Sequence, residues 1–520
     1  MPALDRKWWT LITVCTATFM LLLDITVVNV ALPSIQTSLH SSFSDLQWVV
    51  DAYSLTLAAF LLTAGVVGDM FGRREVFAVG LGVFSLASAV CGFATNSLML
   101  NLSRAAQGVG GAIMFATSLA LVAQAFQGRE RGTAFGIYGA VIGGAVAVGP
   151  LVGGAITSGI GWRWIFFLNV PIGAVAILLT LSKVDRSRDP HTRRIDWIGF
   201  ISFSLALFML VYALVRGNDA GWGSPEILAL LIGAGLLLAI FLVAEWRGSD
   251  PMLDLSLFRR PAMVGISVAT FAIAASIFAM FLYLTLYFQD DLGYKPFDAG
   301  LRFLPISVVS FFAAPLAGRL LAKIPARYLM GSGLLLVSIG CLFMARTHPD
   351  SGWAVLLPGL LIAGVGVGTA NPVIASASVG VVPPQRSGMA SGSSNTFRQV
   401  GIATGIAALG AVFQSQITHK VTAALLSTPA GRAAAVAHHA QLVTAFTSGQ
   451  VRATVAAWPA AQRTAVIDAY RIGFSSTLNH LLVISTVVAF IGAVSAFGLV
   501  RQKDFVPSGA PSPEPAVAHS

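Results

Sequence analysis

The chain has 520 residues, 56% of them apolar and only 10% charged, where soluble domains carry about a quarter charged residues. That balance excludes a set of soluble domains and indicates a polytopic membrane protein. The net charge of +10 invites a nucleic-acid reading, but the placement of the charges removes it, and no nucleic-acid partner is expected.

From the amino terminus, Met1 to Lys7 is a short polar lead into an uncleaved first helix. Apolar runs of spanning length follow at about 8–31, 48–66, 76–95, 98–124, 133–158 and 162–182. Two more lie at about 195–215 and 226–246, and a last set at about 262–289, 298–321, 327–345, 353–373, 388–418 and 477–500. The pattern predicts an all-α fold of fourteen spans grouped six, two and six. In domain terms, 1–183 is a six-helix bundle, 184–250 holds two additional helices and 251–501 is a second six-helix bundle. A long outer loop over 419–476 precedes the last span, and 502–520, rich in Pro, Ser and Ala, is expected to be a disordered cytoplasmic tail. Cys15, Cys91 and Cys341 all lie in apolar runs and read as packing residues rather than a disulfide set.

With the amino terminus inside, the predicted inner loops and tails hold 20 of the 32 basic residues. The short outer loops and helix margins hold 5, namely Arg163, Arg216, Lys295, Arg302 and Arg346. Of the remaining seven, five lie in 419–476 and two, Arg104 and Arg398, lie inside spans. An excess of that size on one side places both termini in the cytoplasm. The basic charge is topogenic.

Of the 22 acidic residues, Asp24 alone lies deep within a span, about two turns inside the far end of a first helix that is expected to stop at Pro33. Burying that charge at mid-membrane costs at least ~2.5 kcal/mol, and a site that binds and releases a proton is the use such a cost implies. Asp51 lies about one turn inside the second span and Arg104 lies in the fourth. All three fall in the outer part of the first bundle, where charges at matching depth face inward and pair. A carboxylate whose proton affinity depends on its distance from a mobile arginine is a proton switch. A static ion pair that fixes helix packing is the alternative. Asp51 reads equally as a helix-start residue near Trp48 or as a proton or substrate site. Arg398, beside Gln399, has no acidic partner within the second bundle's spans, which leaves backbone hydrogen bonding, packing and substrate orientation open.

An internal repeat supports two like halves. Gly65 to Arg74 follows the second span and Gly318 to Arg327 follows the tenth, each opening on Gly and closing on Arg. Two like-oriented six-helix halves form the architecture in which a central cavity alternates its exposure. The fifth span carries Gly136, Gly139, Gly143, Gly144, Gly149-Pro150, Gly153 and Gly154, a spacing that lets helix backbones approach closely.

These residues resemble the major facilitator superfamily, and within it the fourteen-span drug:proton antiporters of the EmrB/QacA type. Asp24 to Pro33 is similar to that group's first-helix signature. Gly65, Asp69, Gly72, Arg73 and Arg74 resemble the inner-loop motif of the superfamily. Arg104 with Gln107, Gly108 and Gly110 is similar to the fourth-helix proton-transfer motif, and Gly139, Gly143, Gly149, Pro150, Gly153 and Gly154 to the antiporter motif of helix five. Trp162 to Gly173, Tyr283 to Gly300 and Ser391 to Gln399 resemble further stretches of the fourteen-span group. The resemblance implies a major facilitator fold in a bacterial inner membrane, exchanging inward-moving protons for lipophilic, often cationic compounds. It also implies that Asp69 and its arginines latch the two bundles on the inner side. Two departures are visible: no acidic residue lies between Gly388 and Gln416, and Ala322 stands where Asp69 would be repeated.

The expected cavity lies between the bundles, with Asp51, Tyr53, Tyr283, Tyr287, Asn395, Arg398 and Gln399 as candidate lining residues. Apolar, adaptable walls suit many lipophilic shapes, and no cofactor is needed because the proton gradient drives exchange. The rival functions are an exporter of one metabolite, lipid or siderophore, a membrane enzyme, and a receptor or scaffold. No His/Asp/Glu metal spacing, Ser/His constellation or phosphate loop supports an enzyme, and His438-His439 reads as a solvated pair. A monomer is expected, with a periplasmic or cell-envelope partner for the 419–476 loop left open.

Overall fold

The computed structural model describes residues 5–126, 128–186, 196–248, 251, 253–321, 323–382, 387–448 and 451–505. The first bundle is built from α1 (Arg6–Leu39), α2 (Phe43–Phe71), α3 (Arg73–Gly92), α4 (Ser97–Ala125), α5 (Gly128–Gly159) and α6 (Trp164–Lys183). Next come α7 (Trp197–Ala220) and α8 (Pro225–Arg247). The second bundle holds α9 (Pro261–Asp291), α10 (Pro296–Leu320), α11 (Ala326–Met344), α12 (Trp353–Gly380), α13 (Ser387–Leu426) and α14 (Ala460–Leu499). Among the described residues, twelve helices are long and apolar enough to cross a membrane. The other two named here, α2 and α5, run for 29 and 32 residues, about 44 and 48 Å at 1.5 Å per residue.

Packing repeats with an offset of eight helices. In the first bundle α2 packs on α4, α3 on α4, α1 on α5 and α3 on α6; in the second, α10 packs on α12, α11 on α12, α9 on α13 and α11 on α14. The contacts between bundles obey the same rule, since α5 meets α10 and α2 meets α13. The weak sequence repeat is therefore a two-fold repeat in space. Helix α7 lies across the α2–α13 seam: Trp48 of α2 meets Phe208 and Tyr212, and Asn218 donates to the Ala411 carbonyl of α13 at 2.6 Å. Helix α7 bridges the halves on that side, and α8 packs on α7.

Two boundaries differ from the sequence expectation. Helix α1 runs through Pro33 to Leu39, because losing one backbone hydrogen bond does not end a helix supported by neighbours. It closes instead at His40, left-handed at φ 52°, where the backbone N–H groups of His40 and Ser41 both reach the Gln36 carbonyl. Asp24 thus lies at the middle of the helix rather than near its end. A capping box between Ser42 and Asp45 then starts α2 early, so Asp51 is its ninth residue, more than two turns in. The 419–476 segment is also largely helical. Helix α13 continues to Leu426, α14 begins at Ala460, and a further helix spans Pro429–Ser448. Its alanines favour helix where low hydropathy had read as loop. Within it, His438 stacks on Trp458 with ring centroids 4.0 Å apart. Of the predicted disordered tail, 506–520 lies outside the described residues.

Candidate functional site

Two glycines draw the first bundle together. A Cβ on Gly108 of α4 would collide with Thr56 and the Tyr53 carbonyl of α2, and one on Gly110 would lie 2.8 Å from the Phe84 Cα of α3. Close backbones put Arg104, one turn before Gly108, against both α1 and α2. Its Nη1 donates to Asp24 Oδ2 at 2.5 Å and to Gln107 Oε1 at 2.7 Å, and its Nε donates to the Val49 carbonyl at 3.0 Å. The guanidinium also lies over the Tyr53 ring, 4.2 Å from its centroid. Both charged side chains are only 1% exposed. A charge pair out of water is tolerated when further hydrogen bonds support it; here Arg104 Nε and the second carboxylate oxygen both have partners.

The other carboxylate oxygen, Asp24 Oδ1, accepts from Gln107 Nε2 at 2.9 Å and from Asn169 Nδ2 of α6 at 3.0 Å. The same two amides also donate to Ser88 Oγ of α3, at 3.2 and 3.0 Å, and Ser88 donates to the Phe166 carbonyl at 2.9 Å. Four helices thus contribute to a dry polar knot around one carboxylate. Asp24 and Arg104 were legible as rare charges in apolar runs. Ser88 was not, and Asn169 appeared only inside a longer motif, because neutral polar residues are common in spans.

Asp51 is different. It is fully buried, and among the described residues neither carboxylate oxygen has a hydrogen-bond partner. One turn away, Gln47 Nε2 donates to the Ile406 carbonyl of α13 at 3.2 Å, and Tyr283 of α9 donates to the same carbonyl at 2.7 Å. Tyr283 is close enough to interact electrostatically with Asp51. Asp51 therefore sits at the junction of the two halves, apart from the Asp24–Arg104 pair, rather than in one charge cluster with it.

The remaining candidates divide. Tyr53 faces Arg104 with its ring, and its hydroxyl has no partner among the described residues. Tyr287 is packed in the second bundle, stacked with Phe474 and donating to the Ser351 carbonyl at 3.3 Å. Arg398 is partly buried, and among the described residues its Nε and Gln399 Oε1 have no partner. Asn395 is half-buried on the same helix. Arg74 binds Glu75 at 2.9 Å and reaches the Leu181 and Val184 carbonyls at 3.4 Å, contacts within the first bundle. The side chain of Asp69 and the surroundings of Gly139 and Gly143 lie outside the described residues. Arg73 follows Gly72, whose φ of 103° suits glycine.

At the face opposite the ends that carry Arg6 and Leu499, termed the distal face, the two bundles touch. Among the described residues, Gln289 Nε2 donates to the Val30 carbonyl at 2.7 Å and the Phe297 N–H to Ser158 Oγ at 3.0 Å. Gln414 Nε2 also approaches Ser44 Oγ at 3.4 Å. At the same level Gly154 meets Pro296 and Phe297, Gly300 meets Pro150, and Gly149 and Gly153 pack on Thr26 and Val27. At the other end, a Cβ on Gly65 or Gly318 would meet nothing within 4 Å. On the distal side, Arg452 donates to the Asp290 and Asp291 carbonyls at 3.3 and 2.7 Å, fastening the long segment to the end of α9.

Residues 14–406 match the family model described as Major Facilitator Superfamily. The chain is 37% identical over 411 residues to the multidrug resistance protein Stp of Mycobacterium tuberculosis, covering 79% of this chain and 76% of that protein. It is 36% identical over 464 residues to the puromycin resistance protein pur8 of Streptomyces alboniger, covering 87% and 91%. With the tetracenomycin C resistance and export protein of Streptomyces glaucescens, identity is 33% over 421 residues, covering 79% and 77%. In fold it is similar to a bacterial homologue of the human lysosomal transporter Spinster in an inward-facing, occupied conformation. The TM-score there is 0.64 at 15% identity, covering 97% of this chain and 99% of that one. Helical architecture, paired six-helix halves and sequence agree: this chain is a transporter rather than an enzyme and belongs to the Major Facilitator Superfamily.

Proposed function

We propose that the protein is a fourteen-span efflux transporter of a bacterial inner membrane that exchanges protons for lipophilic drugs by alternating access. The buried Asp24–Arg104 pair carries this reading, because a transporter needs one site where protonation and helix position depend on each other. The relatives named for multidrug, puromycin and tetracenomycin C resistance support the substrate class. With the terminal face cytoplasmic, as the excess of basic residues there supports, the contacts between the bundles at the distal face support an inward-facing state. Inside-negative potential contributes ~2.3 kcal/mol per charge per 100 mV, about fifty-fold in concentration ratio.

The two carboxylates then take separate roles. Asp24 is already neutralised by Arg104, so attraction for a cationic substrate falls to Asp51. Proteoliposomes with an imposed pH gradient and a panel of cationic and neutral dyes test this. Asp51→Asn is expected to weaken cationic dye transport about tenfold or more, the worth of about 1.4 kcal/mol, and to spare neutral dyes. Equal losses for both classes would contradict the role split, and absence of gradient-driven dye flux in the unaltered protein would contradict drug:proton exchange. The tetracenomycin C exporter, named for one compound, favours a second reading of single-metabolite export. A dye panel without flux, together with flux of one secreted metabolite, would select it.

A further inference from the structure

The hydrogen bonds around Asp24 close into a ring in which nearly every valence is used. Oδ1 accepts from Gln107 and Asn169; both amides spend their second N–H on Ser88 Oγ; Ser88 spends its only proton on the Phe166 carbonyl. An ionised carboxylate oxygen offers about two lone-pair sites, so Oδ1 is full. Oδ2 accepts one bond, from Arg104, and has one site left. The titratable or charged groups around it are Arg104 of α4, Tyr53 of α2 and Cys91 of α3, whose Sγ lies 3.8 Å from Gln107 Oε1. Helix α6 contributes only neutral groups, Asn169 and the Phe166 carbonyl.

From this asymmetry we infer that the transported proton binds Asp24 at Oδ2, and that Asn169, with Gln107 and Ser88, is a positioning residue that holds Oδ1 still while Arg104 moves. The inference rests on the proton-coupling reading above. The arriving proton forms an O–H bond on Oδ2. Arg104 keeps all its own protons and loses only its contact to that oxygen, retaining Gln107 Oε1 and the Val49 carbonyl as acceptors. The carboxylate does not rotate, because Oδ1 is held from two helices. Motion is confined to the arginine side chain, because Gln107 of the same helix stays bonded to Oδ1. Asn169 is 1% exposed and Ser88 fully buried, so no water competes for these bonds.

Difference infrared spectra of the purified full-length transporter between low and high pH test the inference. A carbonyl band that disappears in Asp24→Asn reports protonated Asp24. With the proton on Oδ2, that carbonyl is Oδ1, and two donors hold its stretch at low frequency. Asn169→Ala is expected to move the band to higher frequency, and Gln107→Ala, which removes the other donor, to move it in the same direction. Ser88→Ala leaves both donors on Oδ1 and is expected to leave the band in place. A band that is present but unmoved by Asn169→Ala and Gln107→Ala would overturn the inference and leave proton coupling standing. No band sensitive to Asp24→Asn at all would overturn both.

Discussion

Replacing Arg104 with leucine is expected to cost about 3–5 kcal/mol of stability and to abolish transport. The cost follows from leaving Asp24 buried and charged without its partner; the side chains of both are 1% exposed, so water cannot compensate. Loss of the contact to the Tyr53 ring and of the bond to the Val49 carbonyl adds to it. The informative comparison is the double variant Asp24→Leu with Arg104→Leu. Replacing both members of a buried ion pair with apolar groups is often neutral or stabilising, so the double variant should recover most of the lost stability. It should recover no transport. Thermal unfolding in detergent and dye flux in proteoliposomes separate the two quantities. A double variant that transports would reduce the pair to a packing device.

Gly154→Ala is expected to shift the protein toward the state open at the distal face. An added Cβ would lie 2.6 Å from the Pro296 carbonyl oxygen and 2.8 Å from the Phe297 Cα, and backbone at that distance cannot yield as a flexible side chain can. Overpacking of this kind costs about 1–3 kcal/mol. Here the clash is between the two bundles, so the molecule relieves it by parting α5 from α10. That energy corresponds to roughly 5–150-fold in population. Spin labels at the exposed residues Thr37 and Ser415 should report a larger long-distance fraction. Gly153→Ala is the control, because its neighbour is Val27 of α1 in the same bundle; it should lower stability without changing the distances. A Gly154→Ala protein that is destabilised with an unchanged distance distribution would contradict the account.

The fold was legible from apolar run lengths, since an all-apolar run of twenty residues has few alternatives to a spanning helix. The charged pair was legible because so few charges lie inside spans. Other features depend on information that composition does not carry. Pro33 reads as a stop in an isolated helix, and only the neighbours around α1 let it continue. Segment 419–476 reads as loop because it holds no apolar run of spanning length, although its alanines support helix. Asp51 and Asp24 look alike in sequence; what separates them is that one has every oxygen engaged and the other has none. Gln47 and Gln289 give no signal at all, because their role lies in which backbone carbonyl happens to face them across the seam.

Substrate-driven proton release is the most direct test of the central claim that Asp24 couples protonation to transport. Adding a transported dye to purified protein in weakly buffered solution should release protons from the unaltered transporter. Asp24→Asn should bind the same dye and release none. Proton release of equal size from Asp24→Asn, with binding intact, would contradict the account.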